Sequence, residues 1–130
     1  TSSEVKRLDY NLWSSPVAGQ NLLTFSPETL TNRFYVYNPT NNLYSAVPPA
    51  TTDFAAGIGY LIRMPNTFSA DTPGIWEGTF TGVPNNGTYT ITVGNDTFNA
   101  IGNPYPSTVD LDALKNIKVT QDLLIEVGLL

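Results

Sequence analysis

With no histidine and no cysteine among its 130 residues, the chain leaves any acid–base chemistry to carboxylates. The same absence removes Ser-His-Asp and Cys-His catalysis, and thiolate or imidazole zinc sites. The carboxylates to weigh are Glu28, Asp53, Asp71, Glu77, Asp96, Asp110, Asp112 and Glu126. A glycoside hydrolase needs two of them at a set separation across a cleft, and no spacing here pairs any two. Glu77 falls on the outward positions of an alternating segment. Glu28 sits where a helix start favours negative charge. Both read as surface or capping groups, and the chain is expected not to be an enzyme.

Asp110-Leu-Asp112 could supply part of a calcium site, completed by oxygens of Asn99 or Asn103. The segment lacks the oxygen-rich loop of a recognisable calcium motif, and helix capping with first-turn charge is the favoured reading of both aspartates. No cofactor is expected, with calcium at Asp110 and Asp112 as the one candidate.

The aromatic residues offer a different chemistry. In RFYVYNP, Tyr35 and Tyr37 alternate with Phe34 and Val36, which places the two tyrosines on one strand face. Tyr44 falls across the hairpin that follows. Ring faces bind sugars through apolar C–H contacts, and neutral amides and hydroxyls bond to sugar hydroxyls. Tyr35, Tyr37 and Tyr44 are therefore the candidate glycan-binding residues, with cross-strand packing as the competing reading. Trp13 and Trp76 are expected in the core.

Composition supports a neutral binding surface. Only 13% of residues are charged, about half the usual share, while 13 Asn and 17 Thr supply the polarity. From Phe34 to Ile62 the single charge is Asp53. Net charge is −5 with six basic residues, so no basic stripe exists for nucleic acid. No apolar run reaches the roughly 18 residues of a membrane helix, and membrane insertion is not expected. The start, TSSEVKRLDY, is not a signal peptide, because no apolar run follows Lys6-Arg7. Gly57-Ile-Gly59 precedes a strand rather than opening a helix and is no nucleotide loop.

Ten Gly and ten Pro punctuate short segments, as in an all-β domain. Strands are expected in RLDYNLWSS, in RFYVYNP paired to LYSAV across NPTNN, and in GIGYLIRMP as a central strand ending before Pro65. IWEGTFTGV and TYTITV, joined by PNNG, predict a hairpin over residues 76–93, with Trp76, Gly78 and Phe80 inward. SPETL predicts a short helix capped by Ser26, with Pro27 at its first position. STVDLDALKNI predicts a second, reaching about Ile117. Residues 117–130 could be strand or helix.

One phrase occurs twice. YNLWSSP (Tyr10–Pro16) overlays FNAIGNP (Phe98–Pro104), 88 residues on. Each copy reads as a strand, a proline-stopped corner and a capped helical turn.

The residues YNLWSSPV, FSPETL, RFYVYNPTNNLY, GIGYLIRMP, WEGTFTGVPNNGTYTITV and FNAIGNPYPSTVDLDAL together resemble a β-rich module of large exported proteins of Bacteroidetes, especially flavobacteria. GNPYPS (Gly102–Ser107) is the most specific part, and residues 8–116 are covered. The resemblance implies an extracellular or cell-surface location, often with type IX secretion, and brings no catalytic residues. It departs after the second phrase, where the module has a Trp-containing strand and residues 117–130 have no aromatic.

The expectation is one all-β domain over residues 1–130, with 1–7 as a linker, excised from a longer exported protein. Its architecture would be a β-sandwich or sandwich-like barrel of seven to nine short antiparallel strands with one or two short helices. Its function would be non-catalytic: adhesion or carbohydrate binding at a glycan or cell-surface partner. The alternative is a structural module that spaces or docks neighbouring domains or subunits.

Overall fold

The computed structural model describes residues 4–94 and 96–110. The fold is all-β and sandwich-like, and the described residues form six short strands and one helical turn: β1 (Tyr10–Trp13), β2 (Val17–Ala18), α1 (Leu22–Phe25), β3 (Phe34–Asn38), β4 (Leu43–Ala46), β5 (Tyr60–Arg63) and β6 (Val83–Pro84). Four of them form an antiparallel sheet in the order β1-β5-β3-β4, and β2 pairs with β6 in a second, two-stranded sheet. As the apolar run GIGYLIRMP predicts, β5 is central.

The register sorts residues onto two faces. Opposite pairs Asn11↔Ile62, Trp13↔Tyr60, Phe34↔Ile62 and Val36↔Tyr60 define one of them. From this face Phe34, Tyr60 and Ile62 join Leu22 and Phe25 of α1, and Phe54, in one buried cluster, with Trp13, Val36, Trp76 and Phe80 packed against it. Phe25 is the hub. Its ring stacks on Phe80 at 4.5 Å and meets Trp13, Phe54 and Trp76 edge to face within 5.4 Å. Such aromatic pairs each add about 0.5–1.5 kcal/mol beyond area burial. Gly78 lies under this cluster, where a Cβ would stand 2.7 Å from Phe25 Cζ.

The β3–β4 hairpin turns through Pro39–Asn42, with Asn42 in the left-handed region at φ 57°, a conformation asparagine tolerates better than most residues.

The helix expected in SPETL is displaced. The helical turn is Leu22–Phe25, and its N-cap is Asn21, whose Oδ1 accepts from the N–H groups of Leu23 and Thr24. Ser26 is its C-cap, because Pro27 has no N–H and drives the preceding residue out of helical geometry; Ser26 lies at φ −136°, ψ 74°. The second expected helix has no helical residue among 107–110, and the rest of it lies outside the described residues.

The hairpin expected over 76–93 does not form. Trp76, Gly78 and Phe80 do point inward and Glu77, Thr79 and Thr81 outward, but the segment docks on the core instead of pairing with 88–93. Gln20 Oε1 accepts from the Thr81 N–H at 2.8 Å, and Val83–Pro84 pairs with Val17–Ala18. Long-range pairing has overridden the local turn signal at Asn86-Gly87.

The repeated phrase also resolves differently. The first copy is β1. The second makes only the bridge Ile101↔Ile58, because Asn99 is folded back on its own loop through Gly94 and Thr97. The two corners nevertheless meet. Asn85 Nδ2 donates to both Ser15 O (3.3 Å) and Pro104 O (2.9 Å), and Ser14 Oγ donates to Asn103 O.

Candidate functional site

The other sheet face carries Tyr10 and Leu12 of β1, Leu61 and Arg63 of β5, Tyr35 and Tyr37 of β3, and Tyr44 and Ala46 of β4. This follows from the pairs Tyr10↔Arg63, Leu12↔Leu61, Tyr35↔Leu61, Tyr35↔Ala46 and Tyr37↔Tyr44. The three tyrosines singled out by alternation thus lie together on the face away from the core. Tyr44 is 44% exposed, while Tyr35 and Tyr37 are half-buried. Cross-strand packing and surface display coexist here. The Tyr37 and Tyr44 rings meet edge to face at 5.3 Å, and Tyr10 extends the row to Tyr35 at 6.1 Å.

The hydroxyls are held locally. Tyr37 Oη donates to Asn42 Oδ1 in the hairpin turn, and Tyr35 Oη donates to Asn32 O at 3.2 Å. These bonds fix the ring orientations. What these two tyrosines leave open is ring surface more than phenol hydrogen bonding.

Arg33 and Arg63 complete the row, and sequence reasoning missed them. Arg33 directly precedes β3, one step beyond the Phe34↔Ile62 pair, and the Arg63 N–H donates to Arg33 O at 3.2 Å. The signal was present: Arg33, Tyr35 and Tyr37 share period two, and Arg63 ends an otherwise apolar strand.

The carboxylates are more dispersed. Glu28 and Glu77 line one cleft of about 360 Å³ with Trp76, Thr24, Thr79 and Thr81. Both are exposed, and Glu28 Oε2 accepts from Thr67 Oγ1. General-acid work in glycoside hydrolysis calls for a carboxyl shielded from water, which neither supplies. Asp110 is exposed and Asp112 lies outside the described residues, as does Glu126. The side-chain oxygens of Asn99 and Asn103 accept from the backbone N–H groups of Gly94 and Tyr105. Among the described residues no group of three or more acidic, His or Cys side chains could hold a metal. Nor does any helix among them have the length and apolarity to cross a membrane.

Fold and surface together define an all-β domain with an aromatic core on one side of its main sheet and a tyrosine row on the other. The chain belongs to the family described as domain of unknown function DUF8693, whose model matches residues 1–125. No curated protein and no solved structure matches it.

Proposed function

We propose that this domain is a non-catalytic module of an exported bacterial surface or secreted protein, and that it contacts glycans through its tyrosine face. The carrying observation is the side-by-side placement of Tyr35, Tyr37 and Tyr44 on the sheet face opposite the core. Large aromatic side chains normally serve burial. Three retained in one row, Tyr44 exposed and Tyr35 and Tyr37 half-buried, suit the apolar faces of sugar rings. The amide- and hydroxyl-rich surroundings supply neutral hydrogen bonds. The resemblance of GNPYPS and its flanking segments to exported Bacteroidetes modules supports the location and the secretion route.

A glycan-array screen of the purified domain, with and without calcium, beside a Tyr35→Ala/Tyr37→Ala variant tests the reading. Binding that disappears in the variant, with its circular dichroism spectrum retained, supports it. Silence from the folded wild-type domain overturns it. A second reading, docking of a neighbouring domain, is favoured by Leu8 (61% exposed) and Ile75 (64% exposed) beside the Val5↔Gly74 bridge. Such apolar exposure suits a protein contact.

A further inference from the structure

We infer that the ligand of the tyrosine face is an acidic glycan, held by Arg33 and Arg63 through a carboxylate or sulfate group. This inference rests on the glycan reading above and names its substrate class. Three observations carry it.

Arg33, the residue before β3, lies beside Arg63 at the end of β5, joined to it by the Arg63 N–H to Arg33 O bond, and like charges placed side by side disfavour each other. Among the described residues no carboxylate lies within ion-pair distance of either guanidinium. Arg33 Nη1 donates only to Asn32 O and Tyr35 Oη, at 3.4 and 3.5 Å, and Arg63 Nη2 donates to Asn66 Oδ1 at 3.3 Å. Finally, Nε of both residues is buried without a hydrogen-bond partner, and Arg63 as a whole is only 8% exposed. Buried donors left unmade are costly, and a guanidinium donates in a planar fork that matches carboxylate or sulfate oxygens. An anion over the pair offsets its uncompensated positive charge, while the two enclosed Nε atoms stay beyond its reach.

The neighbours specify the rest of the ligand. Tyr10 is opposite Arg63, and Tyr35 is two residues from Arg33 on the same face. Their rings lie 6.1 Å apart. An anion at the arginines therefore carries its attached ring toward tyrosine surface, which an inorganic ion or an extended acidic peptide would leave unused.

The test is a calorimetric titration of the whole domain at low salt with four probes: oligogalacturonate, a sulfated galactan oligosaccharide, a neutral galacto-oligosaccharide and a polyglutamate peptide. The expected result is binding of one or both acidic sugars about tenfold or more tighter than the neutral one, weakening as salt rises. The two acidic arms tell carboxylate from sulfate. In Arg33→Gln the acidic-to-neutral affinity ratio falls to near one. Arg63→Gln does the same if it folds; Arg33, being less buried, keeps the test decisive if it does not. Equal affinity for acidic and neutral sugars overturns the inference and leaves the glycan reading standing. A preference that survives Arg33→Gln overturns the arginine assignment. Polyglutamate bound as tightly as the acidic sugars overturns the sugar assignment. No binding to any sugar overturns both readings.

Discussion

Tyr37 and Tyr44 face each other directly across the β3–β4 hairpin, with ring centroids 5.3 Å apart and planes inclined at 71°. The Tyr37 hydroxyl is bonded to the turn residue Asn42. Ring and hydroxyl can therefore be separated by mutation. Tyr37→Phe keeps the ring pair and is expected to cost about 0.5–1 kcal/mol for one hydrogen bond, with glycan binding retained. Tyr37→Ala removes the pair as well, costing about 0.5–1 kcal/mol more, and abolishes binding. Denaturant unfolding and a glycan titration of both variants read the two effects. Loss of binding in Tyr37→Phe would transfer recognition from the ring to the hydroxyl.

Trp76 joins the core from a segment with no strand of its own, meeting Trp13 at 5.4 Å and Phe25 at 5.4 Å. Trp76→Ala is expected to cost about 2–4 kcal/mol, toward the lower end for a half-buried ring. Urea unfolding measures it. A cost below about 1 kcal/mol would detach residues 76–80 from the core.

Gly78 is the companion case. A Cβ there would stand 2.7 Å from Phe25 Cζ and 3.1 Å from Trp13 Cη2. Gly78→Ala is expected to destabilise by about 1–3 kcal/mol through overpacking, with loss of near-ultraviolet circular dichroism from the tryptophans. A neutral result would mean that Phe25 swings aside freely.

Asn85 joins the corners of the repeated phrase through Ser15 O and Pro104 O. Asn85→Ala strands two carbonyls and is expected to cost about 1–3 kcal/mol. Amide hydrogen exchange should lose protection at Gly102, which donates to Gly57 O, ahead of the β3–β5 pairing. Uniform loss across the sheet would show instead that the tie is global.

The main sheet is readable from alternation wherever local and long-range demands agree. Phe34 and Val36 go inward while Tyr35 and Tyr37 go outward because β3 lies against a core on one side only. The β3–β4 turn obeys its own Asn-rich chemistry. Residues 76–93 mislead for the opposite reason. The alternation of residues 76–80 is real, but its inward members are claimed by Phe25 and Trp13, and the turn signal yields to Gln20 and β2. At SPETL the capping pattern competes with Asn21, which caps the helical turn while its Nδ2 also donates to Ala50 O and Thr52 O. No single-residue pattern reveals that second role. Of the site, the tyrosines follow from period two alone. The arginines need the register, because their significance lies in standing beside one another.

The sheet order β1-β5-β3-β4 also implies a sequence in time. The β3–β4 hairpin closes over a short turn, a local event on the microsecond scale. β1 can dock only after the chain has closed the long loop from Trp13 to Tyr60, and loop closure of this kind slows folding. The tyrosine row thus begins to assemble in the earliest piece of structure, while Tyr10 and the arginine end of the face must wait for the slowest.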